Sequence, residues 1–175
     1  MHLIEPCCTQ KHWPALRKKL GADGTQFFHG YGDLALDELL AVVLSHYTET
    51  DMMLVCPNLP DRAAELLLRW MRKSWARADG KGRLNIIARM TVITDLSDAK
   101  SPLASGWLTN NPYPERLTLH NIQQKDTALI LPDLALYGAL NIVHNSHFTA
   151  IASKNPKLIA QLRETYTEFT NRHRL

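Results

Sequence analysis

The sequence predicts a single α/β domain with one mixed sheet flanked by helices, ending in a carboxyl-terminal β-hairpin and a closing helix. Three observations predict it. Short apolar, β-branched runs alternate with segments of helical periodicity as far as about residue 96. From Arg116 the pattern changes to short strands broken by a charged turn. Asn155-Pro156 then opens a final helical stretch. The 175 residues, 45% apolar and 21% charged, suit one domain that buries its own core.

The elements follow in order. Residues 1–24 are expected to form an amino-terminal helical extension. TQFFHG (25–30) has strand composition, and Gly30-Tyr31-Gly32-Asp33 should turn the chain and cap a helix from about Leu34. That helix places Leu36, Leu39, Leu40, Val43, Leu44 and Tyr47 at helical spacing. MMLVC (52–56) is a continuous apolar run, as expected of a strand covered on both faces. Pro60, Asp61 and Glu65 suit a helix start, Leu67, Trp70, Met71 and Trp75 form its apolar stripe, and Asp79-Gly80-Lys81-Gly82 stops it.

LNIIARMTVIT (84–94) predicts a third strand, and residues 97–114, rich in Pro and Asn, predict a long loop in which Trp107 packs as an anchor. A strand to about Gln123, a Lys125-Asp126 turn and a return strand from Thr127 to Leu131 predict a hairpin. A further strand is expected near Phe148 to Ser153. In the last helix Leu158, Ile159, Leu162, Tyr166 and Phe169 make the buried face.

Composition excludes several classes. No apolar run reaches the length of a membrane span. The amino terminus has neither a basic start nor an apolar stretch of signal-peptide length, which points to the cytoplasm. Three cysteines, Cys7, Cys8 and Cys56, match neither a disulfide framework nor a zinc spacing. The net charge of +3 is mild, but Arg62, Arg69, Arg72, Lys73 and Arg77 share one segment. Of these, Arg69, Arg72, Lys73 and Arg77 are the candidate nucleic-acid contacts, and a solvated helix face is the plainer alternative.

Local motifs for chemistry are sparse, and no cofactor is called for. Gly30-Tyr31-Gly32 lacks the third glycine of a dinucleotide fingerprint and a following Gly-Lys-Ser/Thr. His144 and His147 are three apart with no acidic residue nearby, a weak basis for a metal. No Gly-x-Ser-x-Gly is present, and Cys56 lies in a run that should be buried. His29 ends a strand where open α/β sheets bind ligands, but a satisfied structural histidine is the plainer reading.

The segment LTLHNIQQKDTALILPDLALYGALN (117–141) with His144-Asn145-Ser146-His147 and the closing FTAIASKNPKLIAQLRETYTEF resembles the carboxyl half of a phospholipase D-like domain. The pattern of that superfamily is His-x-Lys, four residues, Asp, then Gly-Ser-x-Asn and a later Asn-x-Glu. The resemblance covers roughly 25–169 in architecture and 116–169 in motif. It implies that His120 takes the nucleophile's position, and that Gly138, Asn141 and Asn145 take theirs. Ile122 stands where the lysine belongs, Ala139 replaces the serine and His147 the glutamate; Asp126 is one residue early for the acid.

In that chemistry a histidine attacks phosphorus while the lysine, on the same strand face, neutralises phosphate oxygens. An even offset is needed on a strand, and Lys125 is five residues from His120. Loss of one such donor alone costs about 3 to 4 kcal/mol of transition-state stabilisation. His120 is therefore expected to be a relic, with Asn141, Asn145, His147 and Arg116 left to bind phosphate. The resemblance also implies a homodimer, because the family assembles one site from two halves. The expected function is a catalytically degenerate, dimeric binding or scaffold domain for a phosphate-containing partner or nucleic acid. The alternatives are an active phosphodiesterase or nuclease with a substituted basic residue such as Arg116 or Arg89, and a doubly wound domain with a small-ligand site.

Overall fold

The computed structural model describes residues 24–31, 40, 43–44, 51–76, 89–96, 102–139 and 147–173. Among these, β1 (Thr25–Tyr31), β2 (Met52–Cys56), β3 (Met90–Thr94), β4 (Leu117–Asn121), β5 (Thr127–Ile130), β6 (Ala135–Ala139) and β7 (His147–Ser153) form one sheet. The helices are α1 (Asp61–Ala76), α2 (Pro102–Gly106) and α3 (Pro156–Arg172). Strand order is β1-β7-β6-β5-β2-β3-β4. β2, β3 and β4 run parallel because a helix follows each of the first two and returns the chain to the same end. The remaining neighbours, β5 on β2, then β6, β7 and β1, are antiparallel.

β2 lies at the middle of the hydrophobic layers, and its uninterrupted apolar sequence is accounted for by period-two alternation. Met52, Leu54 and Cys56 point into a core with Leu40, Val43, Leu44, Leu67, Trp70 and Met71. Met53 and Val55 point the other way, onto Ile159 and Tyr166 of α3. α1 thus covers one face and α3 the other. Glu65, Arg69 and Arg72 occupy the exposed side of α1. No described helix is long and apolar enough to cross a membrane.

The start of α3 shows sequence acting locally. Asn155 is extended, its side chain accepts the Lys157 amide at 3.0 Å, and Pro156 fills the first helical position, where no amide is needed. Replacing Asn155 by Ala should lower stability by about 1 kcal/mol, with Asn155→Asp retaining most of it. Urea midpoints of the two variants check this, and equal midpoints would remove the cap's role.

Several expectations are corrected. Residues 97–114 are not one structureless loop: α2 forms within them and carries Trp107 into the core at 4% exposure. The turn expected at Gly30 does not begin there, since β1 continues to Tyr31 opposite His147. β6 has no counterpart in the sequence reading, because ALYGA is mostly small residues of weak strand preference. The helical extension at 1–24 falls almost wholly outside the described residues, as do 84–88 of the third predicted strand.

The hairpin correction matters most. β4 and β5 do not pair; the hairpin is β5–β6, closed at Pro132-Asp133 with Leu131 N–H donating to the Leu134 carbonyl at 2.8 Å. β4 lies at the sheet edge beside β3 alone. Residues 122–126 cross from β4 to β5, a gap of three strand spacings or about 14 Å, within the roughly 20 Å that so short a segment can reach. A mixed sheet with this hairpin also disposes of an all-parallel doubly wound domain.

Candidate functional site

The carboxyl ends of parallel strands are where open α/β sheets place ligands, because loops and free backbone groups converge there. At that end lie Cys56 of β2, Thr94 of β3 and Asn121 of β4, joined by the start of β5, the end of β6 and the start of β7. Much of it is sealed by packing. Burial pushes the Cys56 thiol up to about 12, partly offset by its 3.6 Å contact with the Thr94 hydroxyl, so it is no thiolate nucleophile. The Asn121 side chain accepts the Leu96 amide at 2.8 Å, tying down the segment after β3.

His120 is at this end but at the far edge. It is level with Ile93 of β3, which is level with Val55 of β2, which is level with Ala128 of β5. Same-face alignment holds along that row, yet His120 stands three strand spacings, about 14 Å, from Ala128 and one more from Gly138. Among the described residues, His120 and Gly138 are therefore not brought together. Arg116 is remote as well: it precedes β4 at the opposite end of the sheet, buried at 3% exposure, with its carbonyl bonded to the Met90 amide at 2.7 Å. The backbone of His147 begins β7 opposite Tyr31. Asn141 and Asn145 lie outside the described residues, as do His144 and Gly32. His29 lies within β1 opposite Thr149.

The β5–β6 hairpin offers a different register for the superfamily's spacing. Asp126, one residue, Ala128, four residues, Asp133 repeats the interval of His-x-Lys, four residues, Asp; Gly138 follows on the return strand and Asn141 three residues later in the sequence. Thr127, between the first two, is level with Gly138. Gly138 has φ +151°, a backbone setting that side chains rarely adopt, which accounts for glycine there. Ala128 is fully buried against the α3 layer. Asp126 is exposed, and the Tyr166 hydroxyl of α3 donates to its Oδ2 at 3.5 Å, at the long limit of a hydrogen bond. Burial, then the Asp126 carboxylate and Tyr137, raise the pKa of that hydroxyl, so Tyr166 stays protonated and a donor. The signal for this register lies in the interval from Asp126 through Ala128 and Asp133 to Gly138, which carries no histidine to mark it.

Chemically, the hairpin end presents a carboxylate, a phenol and a methyl group. Among the described residues no three His, Cys, Asp or Glu side chains converge as metal ligands. The basic candidates are elsewhere. Arg69 and Arg72 are exposed on α1, Lys73 continues that helix, and Arg77 lies outside the described residues.

No protein-family model and no curated protein matches the sequence. Solved structures do match in fold. TrmBL2, an archaeal chromatin protein described as showing a novel mode of DNA binding, aligns over 93% of this chain with a TM-score of 0.57 and 9% identity; the chain spans 59% of it. NucT from Helicobacter pylori aligns over 82% of this chain and 95% of its own, with a TM-score of 0.51 and 12% identity. Polyphosphate kinase from Porphyromonas gingivalis aligns over 94% of this chain and 29% of its own, with a TM-score of 0.57 and 9% identity. The chain thus spans less than two thirds of two of these three. The fold is a phospholipase D-like α/β fold.

Proposed function

We propose that this chain is a non-hydrolytic phospholipase D-like module that binds a phosphate-bearing partner, nucleic acid foremost, as a homodimer. The observation that carries this is the substitution pattern on the β5–β6 hairpin: Asp126 at the histidine's interval and a buried Ala128 at the lysine's. A carboxylate at Asp126 opposes a phosphate by about 1 kcal/mol even at 4 Å in water, so the ancestral cleft is a poor phosphate site. Exposed Arg69 and Arg72 on α1 are better placed, since guanidiniums on an open face can track a phosphate backbone. TrmBL2, described as binding DNA, shares the fold over nearly the whole chain and supports this choice. The dimer is proposed from the superfamily's use of two half-domains per site, one of which the described seven-stranded sheet resembles.

Two measurements test it. Purified protein should not hydrolyse bis(p-nitrophenyl) phosphate above the buffer rate; a reproducible rate above it would establish an active enzyme instead. Duplex DNA should bind at low salt in fluorescence anisotropy, and Arg69→Glu combined with Arg72→Glu should weaken it by at least about tenfold and flatten the slope of log affinity against log salt by about 2. A slope and affinity unchanged in the double variant would sink the α1 interface. Sedimentation showing only monomer at micromolar concentration would sink the dimer.

A further inference from the structure

Away from the hairpin end, at the amino-terminal end of β3 and β4, a cavity of about 520 Å³ opens between α1 and the turn that precedes β4. Arg72, Pro112, Tyr113, Pro114, Glu115 and Arg116 line it. Its size is that of a small-molecule site. The turn that makes one wall is built to hold its shape. The Asn111 side chain donates to the Leu117 carbonyl at 2.7 Å and accepts the Tyr113 amide at 2.9 Å. The Tyr113 carbonyl accepts the Arg116 and Leu117 amides at 2.9 and 2.7 Å, and Pro112 and Pro114 each lock one φ angle.

Two guanidiniums of different character meet there. Arg116 is almost fully buried, donates from Nη1 to the Met71 carbonyl at 3.2 Å, and lies with Cζ 5.6 Å from the centre of the Tyr113 ring. Burial lowers its pKa, but a guanidinium keeps its charge. Arg72 is exposed at the rim. Against these two cations the described lining offers one carboxylate, Glu115. The described walls are otherwise proline rings and a phenol, which reward a flat apolar body by contact and give a bare anion nothing to fill. An uncharged ligand seated there would displace water from Arg72 without replacing its hydrogen bonds.

We infer that this cavity is a binding site for a small organic anion, a single carboxylate on a flat apolar body, with the carboxylate on Arg72 and the body between Tyr113 and the two prolines. The site is separate from the hairpin and shares only Arg72 with the α1 face proposed for nucleic acid.

The test uses the full chain and 1-naphthoate as probe, with 1-naphthalenemethanol and inorganic phosphate as comparison arms, followed by calorimetry and by amide chemical shifts. Naphthoate should saturate one site and shift the amides of residues 113, 115 and 116. The neutral alcohol and the Arg72→Ala variant should each bind about tenfold more weakly, the effect of one lost charge-assisted hydrogen bond pair. Because Arg72 is exposed, that variant should melt at the parent temperature, which separates lost binding from lost fold. Tyr113→Ala, monitored for folding in the same way, should weaken naphthoate binding too. Non-saturable binding, equal affinity for the alcohol, phosphate binding as tight as naphthoate, or no loss in Arg72→Ala would each overturn the assignment.

Discussion

Ala128→Lys should destabilise the protein by about 4 to 5 kcal/mol at pH 7, since a buried lysine has its pKa depressed by roughly 3 to 5 units and each unit is worth 1.36 kcal/mol. Ala128 is fully buried on β5 between the sheet and α3, so an ammonium there has no water. The sign with pH is fixed by the depressed value. At pH 7 the unfolded chain holds the proton while the folded chain resists it, and stability rises with pH until both forms are neutral near the unfolded value of about 10.4. Urea unfolding at pH 7 and pH 10 should therefore show the gap between variant and parent closing at the higher pH, save for a residual packing cost. A variant as stable as its parent at pH 7 would mean that Ala128 opens to solvent.

Trp107→Ala should cost about 3 to 5 kcal/mol, the range for removing a large aromatic side chain from a core. Trp107 is held where α2 ends, its amide donating to the Ala104 carbonyl at 3.1 Å, and its side chain joins the layer formed by α1 and one face of the sheet. The Asp61 carboxylate accepts the Leu103 amide at 3.0 Å and the Ser105 hydroxyl donates to the Leu96 carbonyl at 3.0 Å, so α2 is tied to both neighbours. Against a typical total of about 5 to 15 kcal/mol, the loss would leave a marginal domain. Thermal unfolding reads it, and a change under about 1 kcal/mol would show that Trp107 does not anchor this segment.

The candidate site was only half legible. Gly138 could be found because its spacing to Asn141 is local, and its backbone angle confirms that glycine is required. His120 misled because its neighbourhood imitates a hairpin: an apolar strand, a charged pair and a second apolar strand. Short connections usually join strand neighbours, but this one crosses two strands to reach the far side of β2. Arg116 misled in the same way, being close to His120 in sequence and at the opposite end of the strand between them. The cavity beside Tyr113 had no local signature, since α1 supplies one wall and the turn before β4 the other.

What the sequence determined by itself was the kind and approximate extent of most elements: the continuous MMLVC strand, the α1 stripe, the capped α3 and the mixed α/β class. These depend on periodicity, caps and the reach of a few residues along one chain. Only the tertiary structure decided which strands are neighbours, and with that which side chains share a site. Backbone hydrogen bonding is indifferent to sequence, so β4 could pair with β5 or with β3. The choice was made by burial: β2, apolar on both faces, takes a central place between β3 and β5, and the more polar β4 is left at the edge.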